Sequence, residues 1–258
     1  MNQPLLSIAI PTFNRANKLE AQLSSLHQLV SKSLFSGHIE VVVVDNCSTD
    51  STQDIIKSFS SLERDYIFSS YKNEKNIGGP LNFGQGILRS QGIFAWLLSD
   101  DDVLRDNAID YIYQSLNANQ DVGFCLANYY HDDLDQLPAM NIYDEDFLAK
   151  NIREYISSAM FAETMISACI FKRSLLSEDF LTKIQGRGYL HVEWVFSILK
   201  NYNALVIKTP LFNVDHPGVY ESRKNASVRE GMVDFYLEAH LDFLKITSSI
   251  YKFSLGLP

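Results

Sequence analysis

Three consecutive carboxylates, Asp100-Asp101-Asp102, end the apolar run Phe94-Ala95-Trp96-Leu97-Leu98-Ser99. Such a run reads as a buried strand, and in an open α/β sheet ligands collect where strands end. Adjacent carboxylates repel one another, and no Lys or Arg immediately precedes them, so a cation is expected nearby. A divalent metal held by oxygen ligands is the natural candidate. The alternative is structural: the three aspartates form a turn and cap a helix over 103–116. A second carboxylate, Asp45, ends the run Ile39-Glu40-Val41-Val42-Val43-Val44 in the same way.

The elements that must place these groups follow the chain. Leu5 to Ile10 predicts a first strand, stopped by Pro11-Thr12-Phe13-Asn14-Arg15. Leu19, Leu23, Leu26 and Leu29 then recur at helical spacing. The β-branched run 39–44 predicts a second strand buried on both faces, as in a parallel sheet. Asn46-Cys47-Ser48-Thr49-Asp50 forms a polar turn, with Ser48 or Asp50 as a cap for a helix over 51–59. A weaker strand follows at 66–71, then the loop Asn73-Glu74-Lys75-Asn76-Ile77-Gly78-Gly79-Pro80, a helix over 81–90 and the strand that carries the triplet. This alternation predicts a doubly wound sheet. The second half is less regular. It shows strand-like runs at 122–127, 166–171 and 204–207, a polar segment over 131–146, helical patterns at 150–161 and a helix bearing His191, Glu193, Phe196 and Leu199. A last amphipathic helix carries Met232, Phe235, Tyr236, Ala239, Phe243, Ile246 and Ile250, a stripe that packs on its own core or serves as an oligomer or membrane-surface contact.

Composition narrows the classes of function. At 258 residues and 46% hydrophobic, the chain can bury a core without staples. No run approaches the roughly 18 to 20 apolar residues needed to span a bilayer. A net charge of -9 argues against a nucleic-acid binder. Nine acidic residues between Asp106 and Asp146, with no Lys or Arg among them, read as a solvated face. Cys47, Cys125 and Cys169 are scattered and suit packing in a reducing compartment. No secretory signal is visible at the N-terminus, so a cytoplasmic place is expected, with the inner face of the membrane as its extension. The absence of GxGxxG after Ile10 speaks against a dinucleotide-dependent dehydrogenase. A nucleotidyltransferase lacks support too, since no glycine-rich basic loop follows the first strand.

Taken in order, Pro11-Thr12-Phe13-Asn14-Arg15, Val44-Asp45-Asn46-Cys47-Ser48-Thr49-Asp50, Asn76-Ile77-Gly78-Gly79 and Ser99-Asp100-Asp101-Asp102 resemble the family 2 glycosyltransferases over roughly residues 5–115. The resemblance implies a GT-A fold: a Rossmann-like, mostly parallel central sheet flanked by helices on both faces. It implies a single domain over 1–258, with 1–115 holding the nucleotide-sugar, 116–230 the acceptor and the catalytic groups, and 231–258 a C-terminal helix. It further implies an inverting transfer of a sugar from a nucleotide-diphosphate donor to the hydroxyl of a glycan or lipid-linked glycan. The segment Pro11 to Arg15, Asp45, Asn76, Gly78 and Gly79 would bind the donor, with Asp100 near its ribose. Asp101 and Asp102 would hold Mn²⁺ or Mg²⁺, joined by His216 from the turn Asp215-His216-Pro217. Glu193 in His191-Val192-Glu193-Trp194 would be the base that deprotonates the acceptor, with His191 as the alternative. The sequence departs from the family where Ser99 opens the metal motif and where Trp194 replaces a second acid. A module of this fold that binds a nucleotide or glycan without catalysis is therefore the competing reading. Arg223, Lys224 and Arg229 could close over a diphosphate or be solvated surface.

Overall fold

The computed structural model describes residues 3–131, 138–140, 144–159, 162–183 and 190–214. Backbone packing divides the chain into Met1–Asp215 and His216–Pro258, and the second unit lies outside the described residues. His216, Arg223, Lys224, Arg229 and the amphipathic C-terminal segment are therefore outside them as well.

The first unit begins with the expected alternation: β1 Leu6–Thr12, α1 Ala16–Lys32, β2 Ile39–Asp45, α2 Thr52–Ser60, β3 Ile67–Lys72, α3 Gly79–Arg89 and β4 Phe94–Leu97. Strands β3, β2, β1 and β4 lie side by side, all parallel. Right-handed crossovers fix the layers. Passing from β1 through β2 to β3 puts α1 and α2 on one face, and the return to β4 puts α3 on the other. The chain is thus a mixed α/β fold of the GT-A kind, built on a largely parallel core of strands. β1 and β2 are buried along their whole length, which is why β2 carries four consecutive valines and β1 only small or apolar residues.

Two details of the first half differ from the sequence expectation. β1 runs through Pro11 to Thr12 instead of stopping at Ile10. The last bond of the ladder to β4 runs from Leu98 N–H to the Ala9 carbonyl at 2.9 Å, and the missing N–H of Pro11 ends the ladder there. After the triplet, Val103–Leu104 is not the start of a helix but a short strand, β5. It pairs antiparallel with the last strand, and helix α4 begins only at Ala108.

The remaining elements are β6 Phe124–His131, β7 Phe147–Ala149, α5 Ile152–Ala159, β8 Cys169–Lys172, α6 Glu178–Lys183, α7 Leu190–Leu199 and β9 Ala204–Val214. β8 extends the sheet antiparallel to β4; β6, β9 and β5 follow in order, and β7 pairs antiparallel with β9. A core continuous from Leu5 to Val214 joins both parts of this unit. Cys125 and Cys169 are wholly buried in it, and burial drives both thiols well above their ordinary value. Among the described residues no helix is long and apolar enough to cross a membrane.

Candidate functional site

The crossovers from β1 run one way to β2 and β3 and the other way to β4, so the sheet has a switch point beyond the C-terminal ends of β1 and β4. A cleft of about 320 Å³ opens there, and Pro11, Thr12, Phe13, Arg15, Asn76, Gly78, Gly79 and Asp100 all line it. These residues lie far apart in the chain and were expected together. Strand ends place them: Thr12 closes β1, and its hydroxyl donates to Asp100 Oδ2 at 3.0 Å. Gly78 has a φ of 86°, which frees the backbone to turn into α3 immediately afterwards.

The far wall is an amide network. Asn46 Nδ2 donates to Asn76 Oδ1 at 2.9 Å, and Asn76 Oδ1 also accepts the Gly78 N–H at 2.8 Å. Asn46 Oδ1 accepts from Ile77 N–H and Asn73 Nδ2 at 2.9 and 3.1 Å. Asn82 ties the wall to the sheet by donating to the Val44 carbonyl at 3.0 Å. Phe13, 38% exposed at the rim, and Phe83 add aromatic surface. A planar, hydrogen-bonding ligand such as a nucleotide base suits such a wall.

Asp45 is placed differently from the expectation. It is wholly buried, accepts Ser48 N–H at 2.9 Å and Gln53 Nε2 at 2.6 Å, and does not line the cleft. Its successor Asn46 does, because neighbouring residues at a strand end point to opposite sides. Asn14, with a φ of 53°, joins two loops by accepting Thr49 N–H at 2.8 Å and donating its own N–H to Ser48 Oγ at 2.8 Å. It shapes the rim without lining it.

The triplet itself is clamped from two sides. From α1, Gln22 Nε2 donates to the carbonyls of Ser99 and Asp102 at 2.9 and 3.0 Å. From the turn Ile166–Ala168, the hydroxyl of Ser167 donates to Asp102 Oδ2 at 2.5 Å and accepts Ser99 N–H at 2.9 Å. Trp96 Nε1 locks that turn by donating to the Ser167 carbonyl at 2.8 Å.

Two protein cations, not named at the triplet by the sequence reading, reach the first two carboxylates. Arg15 Nη1 lies 3.0 Å from Asp100 Oδ1, Arg15 Nη2 bonds Asp101 Oδ2, and Lys18 Nζ lies 3.0 Å from the same Asp101 oxygen. Ser99 Oγ donates to Asp101 Oδ1. The sequence reading looked for charge only beside the triplet, whereas this charge arrives from more than 80 residues away. A signal was available: Arg15, Lys18 and Gln22 recur at the spacing of one helical face, a polar stripe next to the apolar Leu19, Leu23 and Leu26.

The two leading carboxylates differ in acidity. Burial is the largest influence on Asp101 and pushes its pKa up, but hydrogen bonds from Ser99, Lys18 and Arg15 outweigh it and hold the group at about 2. At Asp100 burial prevails over Arg15 and Thr12, and the pKa is raised. Asp102 is 1% exposed and faces Ser167, a supporting position behind the other two.

The residues expected to move a proton lie on α7. Glu193 is partly exposed in its first turn. His191 is 6% exposed, with its ring 6.5 Å from that of Phe83, which lines the cleft. Trp194 is wholly buried with its ring edge-on to Phe171 at 5.7 Å, so this position serves the core. Among the described residues no group of three or more His, Cys, Asp or Glu could enclose a metal ion. Asp100 and Asp101 still offer hard oxygen donors beside the cleft. Such donors suit Mg²⁺ or Mn²⁺, which take one or two carboxylates and complete their shell with phosphates and water.

The chain is similar in sequence and in fold to known glycosyltransferases. The abequosyltransferase RfbV of Salmonella typhimurium is 25% identical over 268 residues, covering 98% of this chain and 77% of that enzyme. A β-1,3-glucosyltransferase of Campylobacter jejuni that acts on GalNAc(5)-diNAcBac-PP-undecaprenol is 30% identical over 115 residues, covering 44% of this chain and 35% of that one. In fold, residues 1–349 of TarS from S. aureus superpose with a TM-score of 0.61 at 17% identity, over 81% of this chain and 60% of that one. A mannosyltransferase from Pyrobaculum calidifontis, solved with GDP-Man and Mn²⁺, superposes with a TM-score of 0.57 at 16% identity, over 85% of this chain and 59% of that one. The chain therefore spans about three fifths of these solved structures. The family model for Glycosyl transferase family 2 matches residues 7–176, the whole stretch from β1 through the triplet to β8, and the chain belongs to that family of glycosyltransferases.

Proposed function

We propose that the chain is a metal-dependent, inverting glycosyltransferase that moves a sugar from a nucleotide-diphosphate donor to a hydroxyl of a glycan or lipid-linked glycan in surface polysaccharide assembly. The observation that carries this reading is the convergence of Thr12, Arg15, Asn46, Asn76 and Asp100 on one cleft at the switch point of the sheet. The base of the donor fits against the amide wall and Phe13, and its ribose lies toward Asp100. Arg15 offers a planar fork of donors to the diphosphate. Asp101, with Asp102 behind it, would hold a divalent metal, which when bound would supply Lewis acidity toward the charge of the leaving nucleoside diphosphate. Glu193 takes the proton of the acceptor hydroxyl as that oxygen attacks the anomeric carbon from the side opposite the leaving group. The relatives support the process: RfbV is named for abequose transfer, and the Campylobacter enzyme for addition to an undecaprenol-linked glycan.

Burial of Trp194 where a second acid would stand favours one other reading, a module that binds the nucleotide without chemistry. Incubation with a panel of UDP-, GDP-, CDP- and dTDP-sugars and Mn²⁺ separates the two. The proposal expects one donor to be hydrolysed slowly without acceptor and this activity to vanish in Asp101→Ala. A donor that binds but is never cleaved, with or without acceptor, supports the module. Glu193→Gln should keep donor affinity and lose transfer. Loss of transfer in His191→Ala with activity retained in Glu193→Gln moves the base to histidine.

A further inference from the structure

We infer that Lys18 is a built-in competitor of the divalent cation, occupying Asp101 in the free protein and yielding more readily when a diphosphate is present. The inference rests on the metal-dependent reading above and adds the order in which metal and donor enter.

Both oxygens of Asp101 are already engaged. Oδ1 accepts the Ser99 hydroxyl, while Oδ2 receives Lys18 Nζ at 3.0 Å and Arg15 Nη2. A metal bound to Asp101 must displace at least one of these partners. Ser99 belongs to the same turn, and Arg15 is also held by Asp100 at 3.0 Å. Lys18 has this one ion pair among the described residues and is 49% exposed on a flexible stem. It is therefore the partner that leaves at least cost.

Where Lys18 sits explains what it does next. It is the third residue of α1, and Arg15 stands at the N-cap, so two cations crowd the positive end of one helix. No acidic residue lies in that first turn. Asp50 Oδ2 accepts the Ala16 N–H at 3.1 Å, Asp100 pairs with Arg15, and Asp101 supplies the charge that faces Lys18. When a metal draws Asp101 away, Lys18 and Arg15 are left at this end without it. A diphosphate in the cleft that Arg15 lines restores the balance. Metal binding and diphosphate binding each remove the obstacle to the other, which is positive coupling by linkage.

The test is Mn²⁺ binding followed by the electron paramagnetic resonance signal of the free ion, with and without UDP, GDP, CDP or dTDP in turn. Wild type, Lys18→Met and Lys18→Arg are compared, and their melting temperatures serve as a check on folding. The apolar stem of Met retains packing and removes the ammonium. Lys18→Met is expected to bind Mn²⁺ about fivefold more tightly in the absence of nucleotide, a typical upper worth for one partly exposed ion pair. Its enhancement by nucleotide should shrink by a similar factor, and Lys18→Arg should restore wild-type behaviour. Equal or weaker Mn²⁺ binding by Lys18→Met, with wild type still binding the ion beside a nucleotide, overturns the role of Lys18 and leaves the metal-dependent reading standing. Failure of wild type to bind Mn²⁺ beside any of the four nucleotides removes both.

Discussion

Ser167→Ala is the most informative perturbation outside the cleft. Ser167 is wholly buried, and its hydroxyl is the only side-chain atom joining the turn Ile166–Ala168 to the triplet among the described hydrogen bonds. Removing it deletes the bond to Asp102 Oδ2 at 2.5 Å and takes the side-chain acceptor from the Ser99 N–H, previously at 2.9 Å. A hydrogen bond to a carboxylate contributes about 1.5–3 kcal/mol, and a neutral one about 1 kcal/mol. The loss should therefore reach about 2.5–4 kcal/mol, a large part of a domain stability of about 5–15 kcal/mol. For a unit of this size it lowers the melting temperature by roughly 5–16 °C. Thermal unfolding followed by far-ultraviolet circular dichroism measures this directly. Donor affinity should fall as well at temperatures where the variant remains folded, since Ser99 and Asp102 flank the two carboxylates at the cleft. A melting temperature within about 2 °C of wild type would show that the clamp carries little energy and refute the reasoning.

Other expectations follow from single residues. Asp101, held at about 2 against an ordinary 3.8, stabilises the fold above pH 3.8 and gives up that contribution as the pH falls toward 2. Asp101→Asn should therefore flatten the acid-side loss of stability in that window, seen as melting temperature against pH. Asp100 has the opposite sign: its raised pKa means that ionisation costs the folded state, so Asp100→Asn should leave the melting temperature at neutral pH unchanged or higher while donor binding falls. Cys47 sits at a φ of 66°, and Cys47→Gly should raise stability by about 0.5–1 kcal/mol in urea unfolding. At Gly92 a Cβ would lie 2.7 Å from Ser7 N and 2.9 Å from the Phe94 carbonyl, so Gly92→Ala should cost about 3 kcal/mol or more in the same assay.

Much of the first half was legible because burial and period coincide there. The continuous apolar strands 39–44 and 94–98, the glycine loop and the leucines of α1 each state one structure, and the cleft residues follow from strand ends. Other features depended on contacts that spacing does not encode. Val103 and Leu104 pair with Asn213 and Phe212, a partner more than 100 residues away, and this pairing overrides the helical pattern that begins beside them. Asp45 carries the more chemically suggestive side chain, but the parity of β2 turns it inward and gives the cleft to Asn46. The cations at Asp101 were missed for a similar reason, because they are adjacent to it only once β1 and β4 lie side by side. Trp194 is wholly buried against Phe171, so this position serves the core, a role that the sequence pattern of α7 does not show.

A crystal structure of the chain with Mn²⁺ and the donor that raises its melting temperature tests the central claim most directly. The account predicts the diphosphate in the cleft beside Arg15 and a metal about 2.1 Å from an Asp101 oxygen, with Lys18 turned from Asp101 toward phosphate. A nucleotide seated elsewhere, or one in the cleft with Asp101 still joined to Arg15 and Lys18 and no metal beside it, would contradict the account.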